Sequence, residues 1–307
     1  MTIRFDGQVA IVTGAGTGLG RAHAVALASR GARVLVNDLG STSDGQGQSS
    51  EAALKVVDLI EQSGGEAIGN GANVARFDEV EAMVGQALEK WGRIDVLVNN
   101  AGILRDRSFS KMEIPDFQLV SDVHLMGSVN CTKAVWETMR RQEYGRIVMT
   151  TSSSGMYGNF GQSNYGAAKM AVLGLMNTLG LEGEKANIRI NALAPGAATR
   201  MTENLLSDGL KQLLRVEPVA EAMVALCHAD APNRCILNAQ AGSFSITRLV
   251  ESRGLWLPVA EQTAEQIVKN WMQIANTTVE QAMNSGGEHV AKMLTMASEG
   301  SGVAVTF

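Results

Sequence analysis

The stretch "VAIVTGAGTGLGRAHA", residues 9–24, joins an apolar run to a helical pattern through a turn rich in glycine. Glycine lets backbone amides come close to a pyrophosphate, and the N-terminus of the following helix adds partial positive charge there. Gly14, Gly18 and Gly20 stand in this turn. A glycine-rich turn alone is weak support for a nucleotide site, but this one lies between the first strand and the first helix. The stretch therefore predicts a dinucleotide-binding βαβ unit.

The second predicted strand, "RVLVND" (33–38), ends in Asp38. A carboxylate at this position can accept hydrogen bonds from both ribose hydroxyls of adenosine, and it repels a 2′-phosphate. The alternative is that Asp38 only caps a turn before Gly40. With the glycine-rich turn in place, the sequence favours NAD(H) over NADP(H) as the cofactor.

Short β-branched runs alternate with amphipathic helical patterns along most of the chain. This alternation predicts an α/β fold, a Rossmann-type doubly wound parallel sheet with a C-terminal helical extension. Because it stops near residue 246, we expect a dinucleotide-binding domain with the active site over 1–245 and an extension over 246–307. The predicted strands are 9–13, 33–38, 94–100, 145–151 and 188–195, and the predicted helices are 20–31, 51–65, 77–92 and 260–283.

The composition excludes several classes of partner. The 307 residues are 45% hydrophobic and carry a net charge of −5, which argues against nucleic acid and against anionic membranes. The three cysteines, Cys131, Cys227 and Cys235, are scattered and show neither a disulfide framework nor a metal-type pair. We therefore expect a reducing cytoplasm, no bound metal and no membrane span.

Tyr165 and Lys169 stand four residues apart in "NYGAAK", so they share one face of a helix. A free phenol has a pKa of about 10, and a nearby ammonium is expected to lower it. Tyr165 could then exchange a proton with a carbonyl or alcohol while a hydride moves to or from nicotinamide. Ser152, at the end of a predicted strand, could orient the substrate oxygen. The alternative is an ordinary surface pair.

In combination, "TGAGTGLG" (13–20), "NNAG" (99–102), Ser152 and the YxxxK spacing resemble the short-chain dehydrogenase/reductase family. The resemblance implies Tyr165 as general acid and base, and Lys169 as the group that lowers its pKa and holds the nicotinamide ribose. It also implies homo-oligomers, formed through helices at about 115–141 and 163–186. The cofactor-binding residues implied by the motifs are Gly14, Thr17, Gly18, Leu19, Gly20, Asp38, Asn73, Val74, Asn99, Ala101, Gly102, Tyr165, Lys169, Pro195, Gly196 and Thr199.

A narrower resemblance covers nearly the whole chain. Stretches such as "NNAGILRDRSF" and "YGRIVMTTSSSGMYGNFGQSNYGAAK" look like the (3R)-hydroxyacyl-CoA dehydrogenase domains of the peroxisomal multifunctional enzymes of type 2. Where the wider family has Asn in "VNLxG", this chain has His124 in "VHLMG", as that subgroup does. His124 could hold the water that links Lys169 to solvent, by its side chain or its carbonyl, or it could be a packing histidine.

The substrate site is expected over Tyr165, with an apolar wall and a basic rim. The rim residues, "RDRS" (105–108) and Lys111, could meet the phosphates of coenzyme A or could be a solvated loop. The substrate is expected to be a 3-hydroxyacyl-CoA, with a hydroxysteroid or another carbonyl compound as an alternative. A non-catalytic NAD-binding regulatory protein is a second alternative. The wall candidates are Leu104, Met156, Phe160, Met201 and Leu205.

Overall fold

The computed structural model describes residues 2–42, 44–47, 49, 51–198 and 207–304. Over these ranges the chain divides into two compact units, Met1–Ile246 and Thr247–Phe307. The central sheet of the first unit consists of β1 (Val9–Thr13), β2 (Arg33–Asn37), β3 (Glu66–Asn70), β4 (Val96–Asn99), β5 (Gly145–Thr150), β6 (Ile188–Gly196), β7 (Ile236–Gln240) and β8 (Ser243–Thr247).

Helices cover this sheet on both faces. Those of the first unit are α1 (Gly18–Ala28), α2 (Glu51–Gln62), α3 (Phe77–Trp91), α4 (Ile114–Ser121), α5 (Gly127–Gln142), α6 (Ser153–Tyr157), α7 (Ser163–Glu182), α8 (Asp208–Leu213) and α9 (Glu217–Cys227). A π-helical turn, Asp122–Met126, joins α4 to α5.

The strand order is β3-β2-β1-β4-β5-β6-β7-β8, and the pairs from β3 to β7 are parallel. Successive side chains of a strand point to opposite faces, so both faces need a core. In β1, Ala10 and Val12 lie in the core shared with α1, α2 and α9, whereas Ile11 lies in the core shared with α3, α5 and α7. This arrangement confirms the predicted Rossmann-type fold.

The strand order reverses at β1, because β2 lies on one side of it and β4 on the other. Ligands of such sheets bind outside the carboxyl ends of the strands at this reversal. The glycine-rich turn follows β1, and "NNAG" follows β4, so the fold brings the two motifs together. The predicted nucleotide site is therefore expected at this reversal of the strand order.

Three strands of the first unit, β3, β7 and β8, lie outside the five predicted β-branched runs. In β3, "EAIGN", only Ala67 is buried, so this edge strand lacks the apolar run that marks the others. Strands β7 and β8 are joined by Ala241 and Gly242, with φ angles of 50° and 72°. Positive φ at both residues is typical of the type I′ turn that connects a tight hairpin.

The prediction of a single helix over 260–283 in the second unit is wrong. It contains β9 (Val250–Ser252), α10 (Ala264–Lys269), α11 (Trp271–Ile274), β10 (Glu280–Ala282) and α12 (Gly286–Ser301), with β9 and β10 paired antiparallel. The backbone N–H of Thr278 donates to the Asn276 side chain, a local bond that competes with helix continuation.

Helix α12 begins with two glycines, Gly286 and Gly287. Its start is fixed by Ser285, whose hydroxyl accepts the Glu288 backbone N–H at 3.1 Å. The Glu288 carboxylate in turn accepts the Asn284 backbone N–H at 2.8 Å. Ser285 and Glu288 have the spacing of a capping box, with the return bond made to the residue before the cap, and the two bonds offset the low helix propensity of Gly286 and Gly287.

Candidate active site

Tyr165 and Lys169 lie in the first two turns of α7. Lys169 is only 4% exposed, and its Nζ donates a hydrogen bond of 2.6 Å to the carbonyl of Thr150 at the end of β5. The same Nζ lies 5.6 Å from the centroid of the Tyr165 ring. The pair is therefore set into the protein against the sheet, and the surface-pair interpretation of the YxxxK spacing does not describe it.

The short helix α6 brings Ser152 to the same place. Ser152 caps α6 by accepting the Ser154 backbone N–H, and its side chain also hydrogen-bonds the Tyr165 phenol. Close packing of α6 on α7 requires Gly155, since a Cβ there would lie 2.9 Å from the Lys169 backbone. The structure thus brings Ser152, Tyr165 and Lys169 together.

Burial controls the titration of both Tyr165 and Lys169. It lowers the pKa of Lys169 to about 7, because the charged ammonium loses water. Burial also raises the pKa of Tyr165, and the hydrogen bond from Ser152 only partly opposes that shift. The expected lowering of the Tyr165 pKa is therefore wrong for this arrangement. At neutral pH the phenol carries its proton, while Lys169 is close to its own titration point.

His124 lies beside this pair, in the π-helical turn before α5. Its ring packs edge-on against Tyr165, with centroids 5.1 Å apart, and it is 3% exposed. Its Nε2 lies 2.8 Å from the carbonyl oxygen of Ile103. Burial, together with the nearby Lys169 charge, holds its pKa well below the usual range, so the ring is neutral. π-Turns of this kind are frequent at functional sites.

Two details define how His124 could act. Its own carbonyl already accepts the Ser128 hydroxyl at 2.7 Å. Its Nδ1 is buried and has no hydrogen-bond partner within the described residues. The sequence left two groups of His124 that could hold a relay water, its carbonyl and its side chain. Because the carbonyl already accepts the Ser128 hydroxyl, the group that can hold the water is the ring nitrogen Nδ1. Gly102 is part of this geometry, since a Cβ there would lie 2.4 Å from the imidazole ring.

Replacing His124 tests this relay. His124→Leu should fold but lose most of the turnover, because it removes the ring nitrogen. His124→Asn should keep substantial activity, because a side-chain amide can still hold a water. The measurements are kcat as a function of pH and the Tm of each variant. Equal rates near the wild-type value for both variants would leave His124 with a packing role only.

The glycine-rich turn forms a cradle. Gly14 and Gly18 have φ angles of 61° and 53°, which favour glycine, and a Cβ on Gly14 would lie 2.8 Å from Ala101. Asn100 ties the cradle together, because its side-chain amide donates to the carbonyls of Thr13 at 2.9 Å and Gly14 at 3.0 Å. Asn100 was missed by the sequence analysis, although the second Asn of "NNAG" was a visible signal.

Asp38 has the turn-capping role that the sequence left open, and its binding of ribose hydroxyls stays a prediction. One carboxylate oxygen accepts the Gly40 backbone N–H at 2.7 Å, which is the turn-capping role. The other accepts the Gly16 backbone N–H at 2.7 Å and so fixes the glycine-rich turn. A cavity of about 480 Å³ lies beside both glycines. The cradle, the acid and the cavity fit the adenosine end of a dinucleotide.

The other predicted cofactor residues lie around the same edge of the sheet. Asn73 caps the turn before α3 by accepting the Ala75 backbone N–H, and the Val74 carbonyl accepts the Asn130 side chain. Asn99 donates to the Thr132 hydroxyl, and its Oδ1 is buried without a hydrogen-bond partner in the described part of the chain.

The remaining predicted cofactor residues belong to the turn, to α1 and to the end of β6; they are Thr17, Leu19, Gly20, Pro195 and Gly196. Thr199 lies outside the described residues, as do Met201 and Leu205.

The predicted basic rim and the predicted apolar wall are each corrected at one residue. Arg105 is not a free cation, because it pairs with Asp116 at 2.9 Å and donates to the Asp44 carbonyl at 2.7 Å. Phe160 is 91% exposed and does not form an apolar wall. Leu104 and Met156 are half-buried.

Arg107 and Lys111 are exposed. The Arg107 backbone N–H donates to the Gly161 carbonyl at 2.9 Å, and the residue forms an isolated parallel bridge with Gln162. Gln162 directly precedes α7, so this part of the rim is attached to the start of the helix that carries Tyr165.

Neither a metal cluster nor a membrane span is found in the described parts of the chain. Over those ranges no three His, Cys, Asp or Glu side chains are grouped so that they could hold a metal ion. Over the same ranges no helix is long and apolar enough to cross a bilayer.

Comparison with known proteins gives consistent findings. The family model of the short chain dehydrogenases matches residues 8–209. Peroxisomal multifunctional enzyme type 2 of Mus musculus is 48% identical over 280 residues, which are 89% of this chain and 37% of that protein. The solved full-length enzyme of the same name from Drosophila melanogaster matches with a TM-score of 0.81 at 36% identity, over 97% of this chain and 50% of that chain.

A further solved structure is 7α-hydroxysteroid dehydrogenase in complex with NADH and 7-oxo glycochenodeoxycholic acid. It matches with a TM-score of 0.71 at 29% identity, covering 78% of this chain and 95% of that chain. The chain spans half or less of the length of the mouse and fly multifunctional enzymes.

Proposed function

The chain belongs to the short-chain dehydrogenase family, as its motifs predicted, and we propose that it oxidises (3R)-3-hydroxyacyl-CoA with NAD⁺ or catalyses the reverse reduction. The observation that carries the reaction type is the grouping of the half-buried Ser152 and Tyr165 with the buried Lys169 beside a dinucleotide cradle. The substrate class is supported by the similarity to the multifunctional enzymes.

The three side chains divide the proton chemistry. The Tyr165 phenol donates its proton to the carbonyl oxygen in reduction, and its phenolate accepts the hydroxyl proton in oxidation. Ser152, which is already hydrogen-bonded to the phenol, holds the substrate oxygen in place. Lys169, with a pKa of about 7, exchanges the proton that Tyr165 gains or loses, and His124 Nδ1 holds the water that passes it to solvent. A bound nicotinamide supplies or accepts the hydride.

The choice of NAD rests on Asp38. Its carboxylate lies beside the cavity and is held there by two backbone N–H groups, so it can accept ribose hydroxyls with its remaining lone pairs. A 2′-phosphate would meet this negative charge. The 7α-hydroxysteroid dehydrogenase that this chain resembles is solved with NADH. A wild-type enzyme with equal kcat/KM for NAD⁺ and NADP⁺ would contradict this role.

Coenzyme A provides the test of the substrate class. Its phosphates are separated from the reacting carbon by the long pantetheine arm, so the cations that bind them are expected at a rim. Arg107, which is bridged to the residue before α7, and Lys111, four residues further on, are exposed cations of the predicted rim. Arg107→Gln combined with Lys111→Gln should raise KM several-fold for a hydroxyacyl-CoA. The KM for the same acyl group on N-acetylcysteamine, which lacks phosphates, should not change.

The matched control is Lys185→Gln, an exposed lysine beyond the far end of the 20-residue helix α7. It removes one positive charge, half the change of the rim variant, about 30 Å from Tyr165, and it should leave both KM values unchanged. A rim variant that raised both KM values equally would argue against phosphate binding. If wild type preferred a steroid to the thioester, the hydroxysteroid alternative would replace the acyl-CoA proposal.

We infer that the enzyme is a homo-oligomer and that the segment 247–304 takes part in the assembly. No residue within 247–304 is buried, and Trp271 and Met272 are 62% and 84% exposed. A segment of this length without a core does not bury enough apolar surface to offset its conformational entropy. It therefore needs a further surface, and a second copy supplies one. Sedimentation of the full chain and of a chain ending at residue 254 tests this inference.

The proposed compartment is the cytoplasm. Scattered cysteines fit a reducing environment, which both the cytoplasm and the peroxisome matrix could supply. The mouse and fly relatives carry the word peroxisomal in their names. Fractionation of cells, with the protein followed against markers of each compartment, distinguishes the proposed cytoplasmic location from a peroxisomal one.

A further inference from the structure

The cavity beside the glycine-rich turn is lined by charges of both signs. The volume of the cavity is about 480 Å³. Its walls come from the turn, the loop after β2 and the start of α2, and they include Arg21, Lys55 and Glu51. Asp38 is at the edge, because its carboxylate is bonded to Gly16 and Gly40, which both line the cavity. A ligand that enters thus meets two cations and two anions.

Two of these charges cancel each other. Lys55 and Glu51 are one helical turn apart on α2, and Lys55 Nζ lies 2.7 Å from a carboxylate oxygen of Glu51. The hydrogen bond from Lys55 lowers the pKa of Glu51, so the acid is ionised at neutral pH. The Lys55 ammonium is consequently engaged by a carboxylate at the wall of the cavity.

We propose that Glu51 is a second determinant of cofactor choice, which acts with Asp38 by holding Lys55 away from the 2′-phosphate of NADP(H). This inference rests on the proposed use of NAD. A 2′-phosphate in the cavity is repelled by Asp38 and Glu51, and it is attracted by Arg21 and Lys55. Removing the charge of Glu51 removes one repulsion and also frees one cation.

A purely structural role of Glu51 makes a different prediction. Glu51 stands in the first turn of α2, where a negative charge interacts favourably with the helix dipole. In that case, Glu51→Gln would lower Tm slightly and leave the ratio of the two cofactor affinities unchanged.

The experiment is a titration of the full-length protein with NADH and with NADPH, followed by nicotinamide fluorescence. The variants are Glu51→Gln, Lys55→Gln and the double variant. Glu61→Gln serves as control, since it makes the same change in charge on an exposed residue of α2, about 15 Å along the helix.

Glu51→Gln should tighten NADPH binding relative to NADH by about threefold, the effect expected of one exposed charge. Adding Lys55→Gln should abolish this gain, Glu61→Gln should not produce it, and high salt should reduce it. An unchanged ratio in Glu51→Gln, or the same gain in the double variant, would overturn the proposal. The titration needs no substrate, so an error in the substrate class does not affect it. A wild type that bound NADPH more tightly than NADH would overturn the NAD assignment instead.

Discussion

Tyr165→Phe is expected to lower kcat by about 10³-fold, the usual size of a lost general acid or base. Phenylalanine keeps the ring that packs edge-on against His124 and removes only the proton-carrying oxygen. Binding of NADH, measured by fluorescence titration, should be nearly unchanged, and KM for the substrate should change less than kcat. The comparison of kcat with the NADH Kd separates loss of chemistry from loss of the site.

Tyr157→Phe provides the matched control, because it makes the same chemical change on a tyrosine that is 72% exposed. Its kcat should stay close to the wild-type value. If the Tyr165→Phe enzyme kept most of its turnover, Tyr165 could not be the proton carrier, and the proposed mechanism would be wrong.

Lys169→Met is expected to abolish most turnover and to raise Tm. Activity falls because the variant lacks the group that exchanges the proton of Tyr165. Stability rises because burial penalises the ammonium, which lowers the pKa of Lys169 from 10.5 to about 7. The unfolded chain binds this proton between those two values, whereas the folded protein does not. The penalty is therefore complete below pH 7 and disappears as pH rises towards 10.5.

The gain in Tm of Lys169→Met should accordingly be largest near pH 6–7 and should shrink in more alkaline buffer. Lys185→Met, on an exposed lysine, should show neither the gain nor the loss of turnover. NADH binding should weaken in Lys169→Met, as the family resemblance implies for the nicotinamide ribose. A lower Tm at every pH would mean that Lys169 is not penalised by burial.

The strands and the catalytic spacing could be predicted because their signals are local. The five predicted strands each match an observed strand within about two residues, since strands buried on both faces read as continuous apolar runs. The i, i+4 spacing of Tyr165 and Lys169 similarly fixes their common helix face. By contrast, β3 carries one buried residue and gives no such run.

What could not be predicted depends on contacts distant in sequence or on the ends of elements. The ion pair of Arg105 with Asp116 and its hydrogen bond to the Asp44 carbonyl engage a cation that looked free in the sequence. The direction of the Tyr165 pKa shift depends on burial, which a motif does not report. In the segment after 246, Ser285 caps the start of α12, and the helical pattern over 260–283 was misleading because two short helices and a strand lie there.

The central claim is the oxidation of a (3R)-3-hydroxyacyl-CoA with NAD⁺, and one screen tests it most directly. Purified enzyme is assayed by NADH formation with both enantiomers of a 3-hydroxyacyl-CoA, with hydroxysteroids and with simple secondary alcohols, using NAD⁺ and NADP⁺ in parallel. The account predicts the highest kcat/KM for the (3R) thioester with NAD⁺, and far lower values for the other combinations. Turnover of a steroid or simple alcohol above that of the thioester, or no turnover of any alcohol, would contradict it.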